Sequence, residues 1–167
     1  MISAENRRKA AIITMSDGAS VGSRIDKSGE LLSSLAIECG FEVTIRKVVP
    51  DDFDTIVTTL KELCDTKQVH IILTTGGTGL GPRDVTPEAT LSVVERTIPG
   101  MAEAMRAEGL KKTPMAMTSR QTVGVRRHTL IVNLPGSPKA VQEGFAVISP
   151  VLNHVLDLIE GHTEHKK

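Results

Sequence analysis

Residues 71–90 read Ile-Ile-Leu-Thr-Thr-Gly-Gly-Thr-Gly-Leu-Gly-Pro-Arg-Asp-Val-Thr-Pro-Glu-Ala-Thr, and this stretch contains three structural signals in a row. Its apolar start, which continues from Val69, predicts a buried strand. The closely spaced glycines that follow predict a loop, because they are spaced too tightly for a helix or a sheet. Thr86 before Pro87 is typical of a helix N-cap and its first helical residue, and Glu88 suits the positive end of the helix dipole. A strand, a glycine loop and a helix start in this order favour an anion-binding cradle, in which backbone N–H groups face a phosphate.

Two better-known phosphate-binding motifs do not fit this loop. Gly76 and Gly81 have the spacing of a P-loop, but Pro82 and Arg83 stand where Lys followed by Ser or Thr is required. The glycines also lack the G-x-G-x-x-G spacing of a dinucleotide-binding fold. A tight turn between a strand and a helix is the alternative explanation for the glycines. A turn does not need a base and an acid beside it, so Arg83 and Asp84 favour a binding loop.

Composition limits the class of protein. The chain has 167 residues, a length that favours one domain with a full core. Its 20 Lys and Arg balance its 20 Asp and Glu, and this neutral net charge disfavours a nucleic-acid binder. Three Phe, without Trp or Tyr, offer no platform for stacking bases. No signal peptide is recognised after Met1, no apolar run reaches transmembrane length, and Cys39 and Cys64 are expected to be buried free thiols. We therefore expect a cytoplasmic protein with one domain, residues 1–167, that binds neither nucleic acid nor membrane.

Predicted strands and helices alternate along the chain, which indicates an α/β fold with a parallel sheet and helices on both faces. The segment from Met115 to Arg127 has a weak pattern, for which a short strand or hairpin is expected. Pro150 is expected to kink or split the last helix, with Ser149 capping the second half. Strands are expected at about 9–15, 41–49, 69–75 and 130–134, and helices at about 27–39, 53–64, 87–96, 100–111 and after Ser137.

Polar or glycine-rich clusters follow four of the predicted strands. Since the carboxyl ends of parallel strands lie at one edge of a sheet, where α/β proteins bind ligands, the clusters are expected to meet. This convergence is the strongest argument from the residues for a binding site. The clusters are Ser16-Asp17-Gly18, Pro50-Asp51-Asp52, Gly76 to Asp84, and Pro135-Gly136-Ser137.

The acids in these clusters suggest a metal-assisted reaction. Asp84 lies just past the glycine loop, where a carboxylate can hold Mg²⁺ on nucleotide phosphates. Its alternative role is to pair with Arg83 or to cap the next helix. One of Asp51 and Asp52 is expected to cap the helix that follows them, which leaves Asp51 for the site. Asp17 belongs either to the site or to an ordinary Asp-Gly turn.

Other reactive groups are sparse. Ser119-Arg120 and Arg126-Arg127-His128 offer cations for phosphate or carboxylate groups, or they form solvated charged loops. The five histidines have no zinc-type spacing with cysteines or acids, and no motif indicates a covalent nucleophile. A reaction fits in which the nucleophile arrives on the substrate. A phosphate that attacks an activated phosphate needs alignment and charge neutralisation more than a protein base.

A set of motifs covers nearly the whole chain. The motifs are Thr74-Thr75-Gly76-Gly77-Thr78-Gly79, Pro82-Arg83-Asp84-Val85-Thr86-Pro87-Glu88-Ala89-Thr90, Pro99-Gly100-Met101-Ala102-Glu103-Ala104-Met105-Arg106 and Leu134-Pro135-Gly136-Ser137-Pro138, with Ser16-Asp17, Asp26-Lys27-Ser28-Gly29 and Ser119-Arg120 as further matches. Together they resemble the molybdenum-cofactor biosynthesis proteins of the molybdopterin adenylyltransferase type. Each motif alone is weak, but their joint occurrence is highly specific.

The resemblance implies a three-layer α/β/α sandwich with a mostly parallel central sheet. It also implies transfer of AMP from Mg-ATP to the terminal phosphate of molybdopterin, with release of pyrophosphate. The catalytic acids would be Asp84 and Asp51, with Asp84 as the Mg²⁺ ligand. The residues expected to bind phosphate, nucleotide or pterin are Ser16, Asp17, Thr75, Gly76, Gly77, Thr78, Gly79, Arg83, Ser119, Arg120, Pro135, Gly136 and Ser137.

The expected assembly is a homo-oligomer, most simply the trimer usual in this family, and the molybdate-insertion protein is an expected partner. The helix with Met101 and Met105 and the segment Met115–Met117 are expected to supply apolar surface for the trimer. The alternative function is that of a non-catalytic molybdopterin-binding or assembly protein on the same fold, such as an inactive short paralogue.

Overall fold

A six-stranded sheet lies at the centre of the computed structural model, which describes residues 7–162. The strands are β1 (Lys9–Met15), β2 (Glu42–Val49), β3 (Ile71–Thr75), β4 (Arg96–Thr97), β5 (Val123–Arg126) and β6 (Thr129–Leu134). They lie in the order β2-β1-β3-β6-β5-β4, and the first four in that order are parallel. β5 and β4 extend the sheet in the antiparallel sense. The predicted mostly parallel sheet is confirmed, and the strand order reverses between β1 and β3, where α/β sheets bind ligands.

Helices cover both faces of this sheet and complete the expected α/β/α sandwich. One hydrophobic cluster joins one face of the sheet to α2, α5 and α6, and a second joins the other face to α3 and α4. Ile12 and Leu73 belong to the first cluster, while the adjacent Ile13 and Ile72 belong to the second. Strands buried on both faces are apolar throughout, which explains the continuous apolar runs of β1 and β3. The helices are α1 (Asp17–Ser20), α2 (Lys27–Glu38), α3 (Phe53–Asp65), α4 (Thr86–Val93), α5 (Pro99–Leu110) and α6 (Pro138–Ile159), with a 3-10 helix at Pro114–Thr118.

The boundaries of α4 differ from those expected. Thr86 is the first helical residue rather than the N-cap, which is Val85 and makes no side-chain capping bond. The Thr86 hydroxyl instead donates to the carbonyl oxygen of Gly76 at 3.0 Å. The helix ends at Val93, so Arg96 lies in the edge strand β4. The Thr86 side chain, which the local pattern predicts as a cap, therefore makes a tertiary hydrogen bond to the glycine loop instead.

The last helix is continuous from Pro138 to Ile159, so of the expected kink or split at Pro150 the split is wrong. Pro150 has no N–H to donate to the Ala146 carbonyl oxygen, and the Ser149 hydroxyl donates to that oxygen at 3.4 Å. Both Ala146 and Pro150 are exposed, so solvent reaches this side of the helix. Ser149 therefore supports the existing helix and does not cap a second one.

Several other expectations about local structure are confirmed. The weakly patterned segment forms the 3-10 helix and then β5, which pairs with β6 as a hairpin. Ser137 caps α6 and Asp52 caps α3. Cys64 is buried, but Cys39 is only half-buried at the end of α2, and both thiols are free. Among the described residues no helix is long and apolar enough to cross a membrane.

Candidate functional site

The four predicted clusters meet at the carboxyl edge of the parallel strands. Thr75, at the end of β3, donates its hydroxyl hydrogen to the Pro135 carbonyl oxygen after β6 at 2.7 Å. Ser28 of α2 donates to the Gly136 carbonyl oxygen at 2.6 Å. The cluster after β1 contacts the cluster after β2, because the Asp17 amide donates to Asp51 Oδ2 at 2.9 Å. The expected convergence is therefore present in the structure.

The glycine loop after β3 requires glycine at two consecutive positions. Gly76 has φ +97° and Gly77 has φ +66°, in the left-handed region that most other residues avoid. A Cβ on Gly76 would collide with the carbonyl oxygen of Met15. A Cβ on Gly77 would collide with Thr86 Oγ1 and lie 3.2 Å from Asp51 Oδ1. The loop thus brings its backbone against β1, α4 and the acid after β2.

The Asp84 carboxylate is held by the backbone of the glycine loop. Its Oδ2 accepts a hydrogen bond from the Gly81 amide at 2.8 Å, and a Cβ on Gly79 or Gly81 would lie 2.9 Å from that oxygen. Asp84 neither pairs with Arg83 nor caps α4, which were the alternative roles considered for it. The carboxylate therefore has a fixed place between the glycine loop and the start of α4.

Asp51 lies opposite and is locked to Asp17 by two reciprocal hydrogen bonds. The Asp17 amide donates to Asp51 Oδ2 at 2.9 Å, and the Asp51 amide donates to Asp17 Oδ1 at 3.0 Å. Burial raises the pKa of the Asp51 carboxyl, and the negative charges of Asp17 and Asp84 raise it further. The adjacent Asp52 caps α3 by accepting from the Thr55 amide at 2.9 Å. Asp52 thus serves the helix, as one of this pair was expected to do, and Asp51 faces the site.

The two arginines predicted to bind substrate are both engaged with protein groups. Arg83 donates Nε and Nη2 to Asp17, each at 3.0 Å, and this contact lowers the pKa of the Asp17 carboxyl. Arg120 donates Nε to the Gly79 carbonyl oxygen at 2.8 Å and Nη2 to the Asp84 carbonyl oxygen at 2.7 Å, and it pairs with Glu88. Arg120 therefore stabilises the backbone of the glycine loop through these hydrogen bonds.

Two cavities open on this edge of the sheet and meet over the loop. The first, here called the α2 cavity, has a volume of about 750 Å³ and lies between β1, β3 and the start of α2. The second, the α5 cavity, has a volume of about 400 Å³ and lies between the loop, α5, the 3-10 helix and the start of α6. Gly77, Asp84 and Gly136 line both cavities. The loop and its acid thus form the junction of a two-part site.

Most of the predicted site residues line one of these cavities. Asp17, Arg83, Arg120 and Ser137 do not, and the Ser137 hydroxyl oxygen accepts from the Ala140 amide at 3.2 Å as the cap of α6. Those on the α2 cavity are Ser16, Asp51, Thr75 and Gly76, those on the α5 cavity are Thr78, Gly79, Ser119 and Pro135, and those on both are Gly77, Asp84 and Gly136.

Sequence reasoning missed three cations that line the cavities. Arg24 and Lys27 lie on the α2 cavity, and Arg106 lies on the α5 cavity, where its Nη1 donates to the Gln121 carbonyl oxygen at 2.9 Å. Lys27 and Arg106 lie inside two of the family motifs, but no role was predicted for either residue. Arg24 lies in the polar loop after the β1 cluster, and its position beyond the carboxyl end of a parallel strand is the signal that identifies it.

Comparison with known proteins agrees with this geometry. The profile of the family described as "Probable molybdopterin binding domain" matches residues 11–154. The chain belongs to this family.

Three similar proteins illustrate the relationship. The molybdopterin adenylyltransferase of Helicobacter pylori is 39% identical over 153 residues, covering 90% of this chain and 87% of the relative. That of Escherichia coli K12 is 44% identical over 142 residues, covering 83% and 72%. The crystal structure of the molybdopterin biosynthesis enzyme MoaB from Thermus thermophilus superposes with a TM-score of 0.87 at 45% identity, covering 92% of this chain and 97% of that one. The family's fold and the observed fold are therefore the same.

Proposed function

We propose that this family member is a molybdopterin adenylyltransferase, which transfers AMP from ATP to the terminal phosphate of molybdopterin and releases pyrophosphate. The observation that carries the proposal is the junction of two cavities at Gly77, Asp84 and Gly136. Two substrates that each carry phosphate can occupy the two cavities with their phosphates at this junction. The names of the similar proteins supply the identity of those substrates.

The reaction needs little covalent chemistry from the protein. An oxygen of the molybdopterin phosphate attacks the α-phosphorus of ATP, forming a new P–O–P bond. The bond from the α-phosphorus to the oxygen that bridges to the β-phosphorus breaks, and pyrophosphate leaves with the electron pair. Backbone amides of the loop at Gly77 to Gly79 are suited to orient phosphate oxygens at the junction. Alignment and charge neutralisation then supply the rate, without a protein nucleophile.

The donor set at the junction fits Mg²⁺. Magnesium sites at nucleotides typically use one or two protein carboxylates together with substrate phosphates. Asp84 and Asp51 both line the α2 cavity, and Asp84 uses Oδ2 for the Gly81 amide, which leaves Oδ1 to face a ligand. When bound, Mg²⁺ would neutralise charge on the ATP phosphates. The residues of this chain would hold it through Asp84, with Asp51 as the second acid.

Product analysis tests the proposal. Purified protein is incubated with ATP, magnesium chloride and molybdopterin, and the pterin products and pyrophosphate are quantified by mass spectrometry and a coupled assay. Adenylylated molybdopterin and pyrophosphate in equal amounts are expected. Tight binding of molybdopterin without any adenylylated product would contradict the proposal and support the non-catalytic binding or assembly function.

We also propose that the chain, as one domain, forms a homotrimer. Met115 and Met117 of the 3-10 helix are 64% and 65% exposed, so this helix offers apolar surface for a second copy. The expected contribution of the α5 methionines is wrong, since Met101 and Met105 are buried in the core. Light scattering at micromolar concentration should give three times the chain mass, and a monomer mass would contradict the trimer.

A cytoplasmic location is proposed from the two free thiols, and the molybdate-insertion protein stays an expected partner.

A further inference from the structure

Two arginines near the site use their guanidinium groups in opposite ways. Arg83 directs Nε and Nη2 at the Asp17 carboxylate, each at 3.0 Å, and lines neither cavity. Arg24 lines the α2 cavity, and within residues 7–162 its side chain has no ion-pair partner. One guanidinium is therefore committed to a protein carboxylate, while the other is exposed beside the space where phosphates are expected.

Asp17 connects Arg83 to the second acid of the site. Its Oδ1 accepts from Arg83 Nη2 at 3.0 Å and from the Asp51 amide at 3.0 Å, and its own amide donates to Asp51 Oδ2 at 2.9 Å. These hydrogen bonds form a chain of contacts, here called the relay, from Arg83 after the glycine loop through Asp17 at the start of α1 to Asp51 after β2. Because Asp51 Oδ2 is held in this relay, its Oδ1 faces Gly77, 3.2 Å from where a Cβ on that glycine would lie.

We propose that Arg83 and Asp17 are positioning residues for Asp51, and that Arg24 is the arginine that contacts the phosphates of the bound nucleotide. The proposal rests on the proposed adenylyl transfer, and it gives the phosphate-binding role that the resemblance implies for Arg83 to Arg24 instead. Arg83 neutralises the Asp17 carboxylate, which the two reciprocal amide–carboxylate hydrogen bonds hold close to Asp51. Without this cation, repulsion between the two carboxylates favours their separation and turns Asp51 away from the loop.

The charges on the α2 cavity explain why a second arginine is needed. Asp26, Asp51 and Asp84 all line this cavity, so a polyphosphate that enters it meets several acids. Asp26 is satisfied locally, since its carboxylate accepts from the Thr14 hydroxyl at 2.9 Å and the Gly29 amide at 2.8 Å. Arg24 offers a planar pair of N–H groups for phosphate oxygens. Lys27, on the same cavity, adds a point charge.

Matched charge-removing variants separate the two roles. In Arg83→Gln we expect kcat to fall about 10- to 100-fold, as a misplaced catalytic group does, with the Kd for Mg-ATP changed less than about threefold. In Arg24→Gln we expect the Kd for Mg-ATP, measured by calorimetry, to rise about 10- to 100-fold, the loss typical of a hydrogen bond to a charged group. Arg83→Lys, which keeps the charge at Asp17, should recover part of the lost kcat. Lys61→Gln on the exposed side of α3 is the control for charge removal alone.

A measurement without substrate completes the test. The amides of Asp17 and Asp51 each donate to the other's carboxylate, so their ¹⁵N–¹H resonances report on the relay directly. Both resonances should move in Arg83→Gln and stay in place in Arg24→Gln. If Arg83→Gln instead weakens Mg-ATP binding and leaves both amides unmoved, the proposal is overturned. If the wild-type protein makes no adenylylated product, adenylyl transfer fails as the function, while NMR and calorimetry still decide the roles of the two arginines.

Discussion

Replacing Asp84 with Asn should abolish most adenylyl transfer while leaving the fold intact. The Asp84 carboxylate accepts from the Gly81 amide at 2.8 Å, and Asn can place its carbonyl oxygen at the same point with the same shape. The exchange of a charge-assisted for a neutral hydrogen bond costs about 1 kcal/mol of stability. Burial raises the pKa of Asp51, and the charge of Asp84 raises it further, so relief of this repulsion offsets part of that cost. Unfolding free energy should therefore change by less than about 1 kcal/mol.

The catalytic loss should be much larger than the stability loss. The variant loses the negative charge that holds Mg²⁺ against the ATP phosphates, so charge on the departing pyrophosphate is no longer neutralised. Removing one such preorganised electrostatic contact typically lowers turnover about 10²- to 10³-fold, or about 3–4 kcal/mol in the barrier. Molybdopterin affinity should stay the same or increase, because a negative charge near its phosphate is lost.

The assay pairs single-turnover adenylyl transfer with molybdopterin binding by fluorescence quenching. Asp54→Asn, at an exposed acid in the first turn of α3, is the matched control and should keep wild-type activity. Wild-type turnover in Asp84→Asn would remove this acid from the mechanism. A parallel loss of molybdopterin binding would show that the residue shapes the cavity rather than supporting the chemistry.

Three further experiments test the glycine loop, the cysteines and the contact between Arg83 and Asp17. Gly77→Val should fold but lose nucleotide and pterin binding in calorimetry, because its side chain would collide with Thr86 at φ +66°; undiminished binding would refute the loop assignment. Cys64 is buried with its pKa raised to about 11, so iodoacetamide at about pH 8 should modify the half-buried Cys39 first, as peptide mapping would show. Arg83 lowers the pKa of Asp17, so the ionised form stabilises the fold above the ordinary value of 3.8, and this contribution is lost as pH falls through the lowered value. The melting-temperature difference between wild type and Asp17→Asn should be full at about pH 7 and should shrink progressively as pH falls below 3.8.

The parallel part of the sheet was predictable because β1, β3 and β6 each contain an apolar run that is buried on both faces. The site's place was predictable for a related reason. Once strands are parallel, the loops that follow them share one edge, so the acids at Asp51 and Asp84 had to lie near each other. Local spacing sufficed for the caps at Asp52 and Ser137, since each contacts an amide three residues away.

What the sequence could not predict depends on partners far away in the chain. Arg83 pairs with Asp17 across 66 residues, and no local pattern shows that its charge is already used. The residues next to Thr86 predict that its hydroxyl caps a helix, but the hydroxyl donates to the nearby Gly76 carbonyl oxygen in the loop instead. Pro150 remains inside a continuous helix because the Ser149 hydroxyl supplies a donor for the Ala146 carbonyl oxygen on a solvated side. In each case a tertiary contact or solvent decides between local alternatives.

The most direct test of adenylyl transfer follows the phosphates of ATP separately. ATP labelled with ³²P at the α or the γ position is incubated with the protein, Mg²⁺ and molybdopterin, and the pterin and pyrophosphate fractions are counted. We expect the α label to appear in the pterin product and the γ label in pyrophosphate, with both transfers strongly reduced in Asp84→Asn. Transfer of the γ label to the pterin, or no transfer of the α label by the wild-type protein, would contradict adenylyl transfer.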